Sequence, residues 1–175
     1  MNKYDLKRQA LIDAAAAHLL RKGLANSGLR ALAGAANTSD RMLVYYFGSK
    51  EALINQSLGL ISDGLTGQLD QLLAEAEYTA DSLFQALMAQ GTNPVFLPTL
   101  RVWFELVGLA VRGEQPYAGK AREIAGRWIQ WIEQKLSAAE RHLAADLFAR
   151  LEGHLVLALL GTSGGQGPQA AMKKI

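Results

Sequence analysis

Cysteine is missing from the chain, and its absence excludes a disulfide framework, a thiolate nucleophile and a zinc site built on sulfur. Also missing is an apolar run of membrane length. The longest, residues 102–111, carries Glu105 and falls far short of the ~20 residues a bilayer requires. Residues 10–20 are interrupted by Asp13 and His18, so no apolar leader core is read there, and a cytoplasmic protein is expected. Strand-type alternation, clustered His/Asp/Glu sets, Ser-His pairings and a glycine-rich loop between strand and helix are all absent. The glycines of 161–168 would follow a helix, the wrong context for a nucleotide fingerprint. His142 and His154 stand twelve apart, ~18 Å by helical rise, too far to share a metal ion. These absences predict no catalytic residue, no metal and no cofactor.

The chain has 175 residues, half of them apolar and 19% charged, enough for one substantial core or two small subdomains. Its charge is unevenly placed. Residues 1–55 hold eight Lys/Arg against four Asp/Glu, a net of +4, whereas the remainder carries −2. A basic N-terminal third on an acidic body is the electrostatic footprint of a nucleic-acid binder.

Helical periodicity runs throughout. Leu11, Ala14, Ala15, His18 and Leu19 share one face, and Gly23 is a natural helix stop. Ser27 is placed to cap a helix over 28–35, and Thr38 or Ser39 one reaching Phe47. Asn37 can take the left-handed conformation of the turn between them, and Ser49 should cap a helix over 50–75. Further helices are expected over 81–90, over 98–112 with Pro98 first, and over 117–136 and 138–160, joined tightly near Ser137. Residues 162–175 read as a flexible tail. The sum is an all-α protein of about eight helices, three small ones followed by five larger ones.

Within this pattern the stretch 23–53 is the most informative, because short helix, turn, short helix is how a protein presents one helix to the major groove of DNA. Leu11-Ile12-Asp13-Ala14-Ala15 through Gly23, Leu32-Ala33, Ala36-Asn37-Thr38-Ser39, Tyr46-Phe47 and Ser49-Lys50-Glu51-Ala52-Leu53 occur in one register. Over residues ~6–55 they resemble the N-terminal pattern of the TetR family of bacterial transcriptional regulators. Asn37 stands for the usual turn glycine. Gly28 stands where Ser or Thr often contacts phosphate, leaving Ser27 to supply both cap and contact. Val44 stands for a common tyrosine, leaving Tyr45 and Tyr46 as the aromatic contacts. The resemblance implies a helix-turn-helix DNA-binding domain over 1–48 and a helical ligand-binding and dimerisation domain over 49–161. It also implies a homodimeric repressor, released from a palindromic double-stranded operator by a small-molecule effector.

On the reading helix, Leu43 and Phe47 should pack inward with Val44 beside them, turning Ser39, Asp40, Arg41, Met42 and Tyr45 toward the groove. Arg41 is the expected base reader, since its fork can bond guanine O6 and N7 together; Met42 suits a thymine methyl. Asp40 suits a cytosine amino group or the helix N-terminus itself. Ser27, Tyr45, Tyr46 and Lys50 are expected phosphate contacts, which position without specifying sequence.

In the body, Trp128, Trp131, Ile132, Leu147, Leu151 and Leu155 lie on broad apolar stripes. These suit a two-fold four-helix bundle, or the ordinary core of a monomer. Phe84, Leu87, Met88, Phe96, Trp103, Phe104 and Val107 could wall a small-molecule pocket, or simply be core. Arg101 and Glu105, four apart, could pair with each other or bind a ligand. Two other classes compete: an enzyme on a helical scaffold, and a helical dimeric binding module whose reading head has degenerated.

Overall fold

The computed structural model describes residues 2–73, 77–91 and 93–161. Among them the chain forms eight α-helices: α1 (Lys3–Lys22), α2 (Leu29–Ala35), α3 (Asp40–Phe47), α4 (Lys50–Leu72), α5 (Ala80–Gly91), α6 (Leu97–Val111), α7 (Tyr117–Lys135) and α8 (Ala144–Leu159). A 3₁₀ turn, Arg141–Leu143, precedes α8. The helix expected to reach residue 75 is described to Leu72; residues 74–76 and the expected tail 162–175 lie outside the described residues.

The helix ends follow from local chemistry. Asn2 and Asp5 form a reciprocal capping box at the start of α1. Gly23 ends it with φ 78°, ψ 172°, a region essentially closed to other residues. Asn37 takes φ 46° between α2 and α3, the left-handed turn its side chain tolerates. Ser39 Oγ accepts from the Met42 N–H at 3.3 Å, and Ser49 Oγ from the Ala52 N–H at 3.1 Å, capping α3 and α4. The cap expected from Ser27 is not made. Gly28 is the N-cap of α2, without a side-chain bond, while the Ser27 hydroxyl donates to the Gly23 carbonyl at 2.6 Å.

Contacts divide the chain into two compact units that do not follow chain order. One joins the N-terminal residues through Gly67 with Pro98–Ile124; the other joins Gln68–Leu97 with the chain from Ala125 onward. In the first, α2 packs on both α1 and α3. Leu11, Ala15 and Leu19 of α1, Leu32 of α2, Leu43 of α3, and Leu53 and Ile54 of α4 are almost wholly buried, each large aliphatic chain contributing about 1.5–3 kcal/mol. Ser57 of α4 reaches from this core to the Ile12 carbonyl of α1 as well as to the Leu53 carbonyl of its own helix.

In the second unit α5 packs on α8. The Arg150 guanidinium lies 3.8 Å from the centroid of the Phe84 ring and bonds Asp81 at 3.1 Å. The connection between α7 and α8 is longer than expected from periodicity. The Tyr78 N–H donates to the Lys135 carbonyl and the Ser137 N–H to the Tyr78 carbonyl, both at 2.9 Å, forming an isolated parallel bridge. The Glu140 carboxylate accepts from the Ala80 N–H. These bonds hold 136–140 out of a helix, and α8 begins at Ala144 instead of residue 138.

Asp70 of α4 draws two donors from α7: the Trp131 indole N–H at 3.0 Å and the Lys135 ammonium at 2.6 Å. The Lys135 hydrogen bond holds the Asp70 carboxyl below its ordinary 3.8; burial pushes it back up in part, and the Trp131 bond and the Lys135 charge add to the lowering. A depressed folded-state pKa contributes stability above the unfolded value that is lost as pH falls through the folded one. Asp70→Asn should therefore melt slightly below wild type at pH 7, with the gap closing below pH ~4. The gap stays small because the carboxylate is half exposed. Melting temperatures of both proteins from pH 7 to 3 test this; a gap that does not narrow at all between pH ~4 and ~3 would exclude the Asp70 charge as its source.

Candidate nucleic-acid interface

The head presents α3 with one face closed and the other open. Leu43 is 1% exposed and Phe47 9%, four residues apart on the inward face. Ser39, Arg41, Met42, Val44 and Tyr45 are exposed, Tyr45 by 67%. Val44, expected beside Leu43, stands outside: one residue on from Leu43 is 100° round the helix, past the edge of the buried stripe. Arg41 makes no hydrogen bond or ion pair within the described chain, so its five donors are open to an outside partner. Asp40 is half-buried in the first turn of α3, where its charge complements the helix N-terminus.

Tyr46 is half-buried against Tyr4 of α1, ring centroids 4.8 Å apart, with Tyr45 edge-on to it at 5.2 Å. Lys50 stands half-buried in the first turn of α4, 3.4 Å from Glu51. Ser27 drops out of the interface: it is 2% exposed, and its hydroxyl is spent on Gly23. Tyr4, which the helical pattern of α1 did not single out, joins the aromatic group.

Glu105 of α6 has a different place from the one expected. Its Oε2 accepts from the Leu24 N–H at 2.6 Å and the Ala25 N–H at 3.3 Å, in the turn between α1 and α2. The carboxylate thus serves the turn that enters the helix-turn-helix. Nothing local in the sequence signals a bond spanning 81 residues. Arg101 is exposed on the same helix. Trp103 is buried, and Phe104 and Val107 are half-buried, with α6 in the first unit. Phe84, Leu87 and Phe96, buried, and Met88, half-buried, belong to the second. Four of the expected dimer residues, Trp128, Ile132, Leu147 and Leu155, are 2–8% exposed, largely covered by their own chain. Trp131 and Leu151 are half-buried. The exposed apolar residues of the last helix are instead Val156 and Leu157, with Leu160 just beyond its end, at 37%, 49% and 66%. Among the described residues no three His, Asp or Glu side chains gather as a metal site, and no helix is long and apolar enough to cross a membrane.

A three-helix head with a tight turn and an open third helix, followed in the chain by a helical body, is a helix-turn-helix architecture. Residues 11–56 match the model of the bacterial regulatory proteins, tetR family, and the chain has the TetR fold. The fold recurs in a protein of Streptomyces avermitilis described as a TetR transcriptional regulator: 26% identity, TM-score 0.64, covering 90% of this chain and 88% of that one. It recurs in the multidrug binding protein EbrR complexed with proflavin: 22% identity, TM-score 0.68, 95% and 96% covered. A third instance is a Saccharomonospora viridis protein described as a transcriptional regulator, in complex with choline: 18% identity, TM-score 0.67, 95% and 92% covered. Comparison by sequence with curated proteins gave no match. The matching family is one of regulators, not enzymes.

Proposed function

We propose that this protein is a homodimeric transcriptional repressor that binds a palindromic operator through α3 and releases it when a small organic molecule enters the helical body. The observation that carries the reading is the two-sided α3: Leu43 and Phe47 are closed into the head while Arg41, Met42 and Tyr45 stand open on it, inside the segment that matches the family model. Arg41 reads a base edge, and Tyr45, Tyr46 and Lys50 hold the phosphates. Two-fold symmetry would place two such helices in successive major grooves, ~34 Å apart or a multiple of that. The bound proflavin and choline of proteins with this fold support a small organic effector. Such a ligand shifts the protein off its operator only by its differential affinity for the two conformations.

Selection of bound duplexes from a random pool, with affinity of the winner measured across salt, tests this function. A palindrome bound by two chains with a steep salt slope is expected. Weak binding, alike for all sequences, would leave only a helical binding module. The dimer surface carries its own prediction. Val156→Glu with Leu160→Glu should shift the protein to a monomer by analytical ultracentrifugation with unchanged helix content. A variant that stays dimeric would move the interface off the end of α8.

A further inference from the structure

The N-terminal turn of α1 carries a feature that the helix-turn-helix does not use. Tyr4 is 44% exposed, yet its ring stacks on Tyr46 at 4.8 Å, tilted by 35°, and stands edge-on to Tyr45 at 6.4 Å. One turn further on, the Arg8 guanidinium lies 5.2 Å from the centroid of the Phe47 ring and donates to Gln56 of α4. The row Tyr4–Arg8, four residues apart on one face of α1, is thereby seated along the C-terminal half of α3. The Asn2–Asp5 capping box holds the turn in register. Three aromatic rings thus gather at the surface, and Tyr45 remains two-thirds open.

The charges around this group lie to one side. At 100° per residue, Lys3 and Lys7 fall together on one flank of Tyr4, while Asp5 falls on the other. Asp5 is engaged with Asn2 at the helix N-terminus; Lys3 and Lys7 are exposed and make no ion pair within the described chain. A rigid phenol cluster bordered by two free ammonium groups, on a head with a net charge of +4 over residues 1–55, is suited to one partner chemistry: the sugar-phosphate wall of a duplex. Tyr supplies a hydroxyl and a flat apolar edge, and Lys a mobile cation.

We infer that the first turn of α1 is a second DNA-backbone contact, in which Tyr4, Lys3 and Lys7 extend the phosphate-holding surface of Tyr45 beyond α3. This rests on the reading of α3 as the operator-binding helix. Tyr4 acts twice, holding the Tyr45 and Tyr46 rings at the groove wall and presenting its own hydroxyl beside them. The contact carries no base information, so it strengthens cognate and random DNA alike.

The test is fluorescence-anisotropy titration of the full chain with a selected duplex and with a random one, over a series of salt concentrations. Removing one phosphate-neutralising cation lowers the slope of log K against log salt by ~0.9. Lys3→Ala with Lys7→Ala should reduce the slope by about two per bound chain, about four for a duplex that binds two chains, and weaken both duplexes by the same factor per chain. Neither lysine packs in the core, so the melting temperature should stay at the wild-type value. Tyr4→Phe, which keeps the ring stack, should weaken both duplexes without altering their ratio, and Tyr4→Ala should weaken them further. Wild-type slope and affinity in the lysine double variant, with wild-type protein binding steeply, would overturn the second contact and leave the α3 reading standing. Wild-type protein that binds neither duplex in a salt-dependent way would overturn both.

Discussion

Replacement of Gly23 by alanine should lower the stability of the protein by about 3–5 kcal/mol, the largest effect expected of any single methyl group in the head. Two causes act at the same atom. The backbone at φ 78°, ψ 172° is tolerated by glycine, and holding any other residue there costs about 1–3 kcal/mol. A Cβ built on Gly23 would also collide with the Glu105 carboxylate. A flexible glutamate could swing aside cheaply, but this one holds the Leu24 and Ala25 amides, and charge-assisted bonds of this kind are worth about 1.5–3 kcal/mol. Urea unfolding of a double-mutant cycle separates the causes. In a Glu105→Ala background the cost of Gly23→Ala should shrink to the backbone part alone, about 1–3 kcal/mol. Strict additivity of the two substitutions would show that the carboxylate and Gly23 do not act on each other.

The second large effect concerns recognition. Arg41→Ala should weaken the selected operator by about tenfold to a hundredfold per half-site, equivalent to the ~1–3 kcal/mol of one bidentate base contact. Random DNA should be weakened far less. The residue is exposed and unbonded within the described chain, so its removal leaves no internal partner stranded and the fold should not change. Lys50→Ala gives the opposite pattern: similar losses on both duplexes and a salt slope flatter by about one per bound chain. An equal loss on operator and random DNA for Arg41→Ala would move base reading to another side chain, with Met42 the next candidate.

The contrast between these residues shows what amino-acid order alone reveals. Helix stops at Gly23 and Asn37 and caps at Ser39 and Ser49 were legible because each depends on a backbone conformation or a hydrogen bond within three residues. The inward pair Leu43 and Phe47 was legible for the same reason, through a four-residue period. What failed depended on distant chain or on the folded turn. Ser27 looked like a cap, but its hydroxyl found the Gly23 carbonyl once that turn had formed. The start of α8 was misplaced because Tyr78, some sixty residues earlier, straightens the chain after α7. For Trp128, Ile132, Leu147 and Leu155 the apolar stripes were legible, but a stripe does not say how much of its cover comes from its own chain.

The bond from Glu105 to the turn after α1 has a consequence for how such proteins can be recombined. Boundaries drawn along the chain suggest an exchangeable module ending near residue 48, one that could be grafted onto another helical body. A fragment cut there leaves behind the acceptor for two of its own amides, 81 and 80 residues downstream. A chimera that keeps this head therefore has to import a carboxylate at the matching place in the foreign α6. The unit of inheritance is the head together with one turn of a later helix.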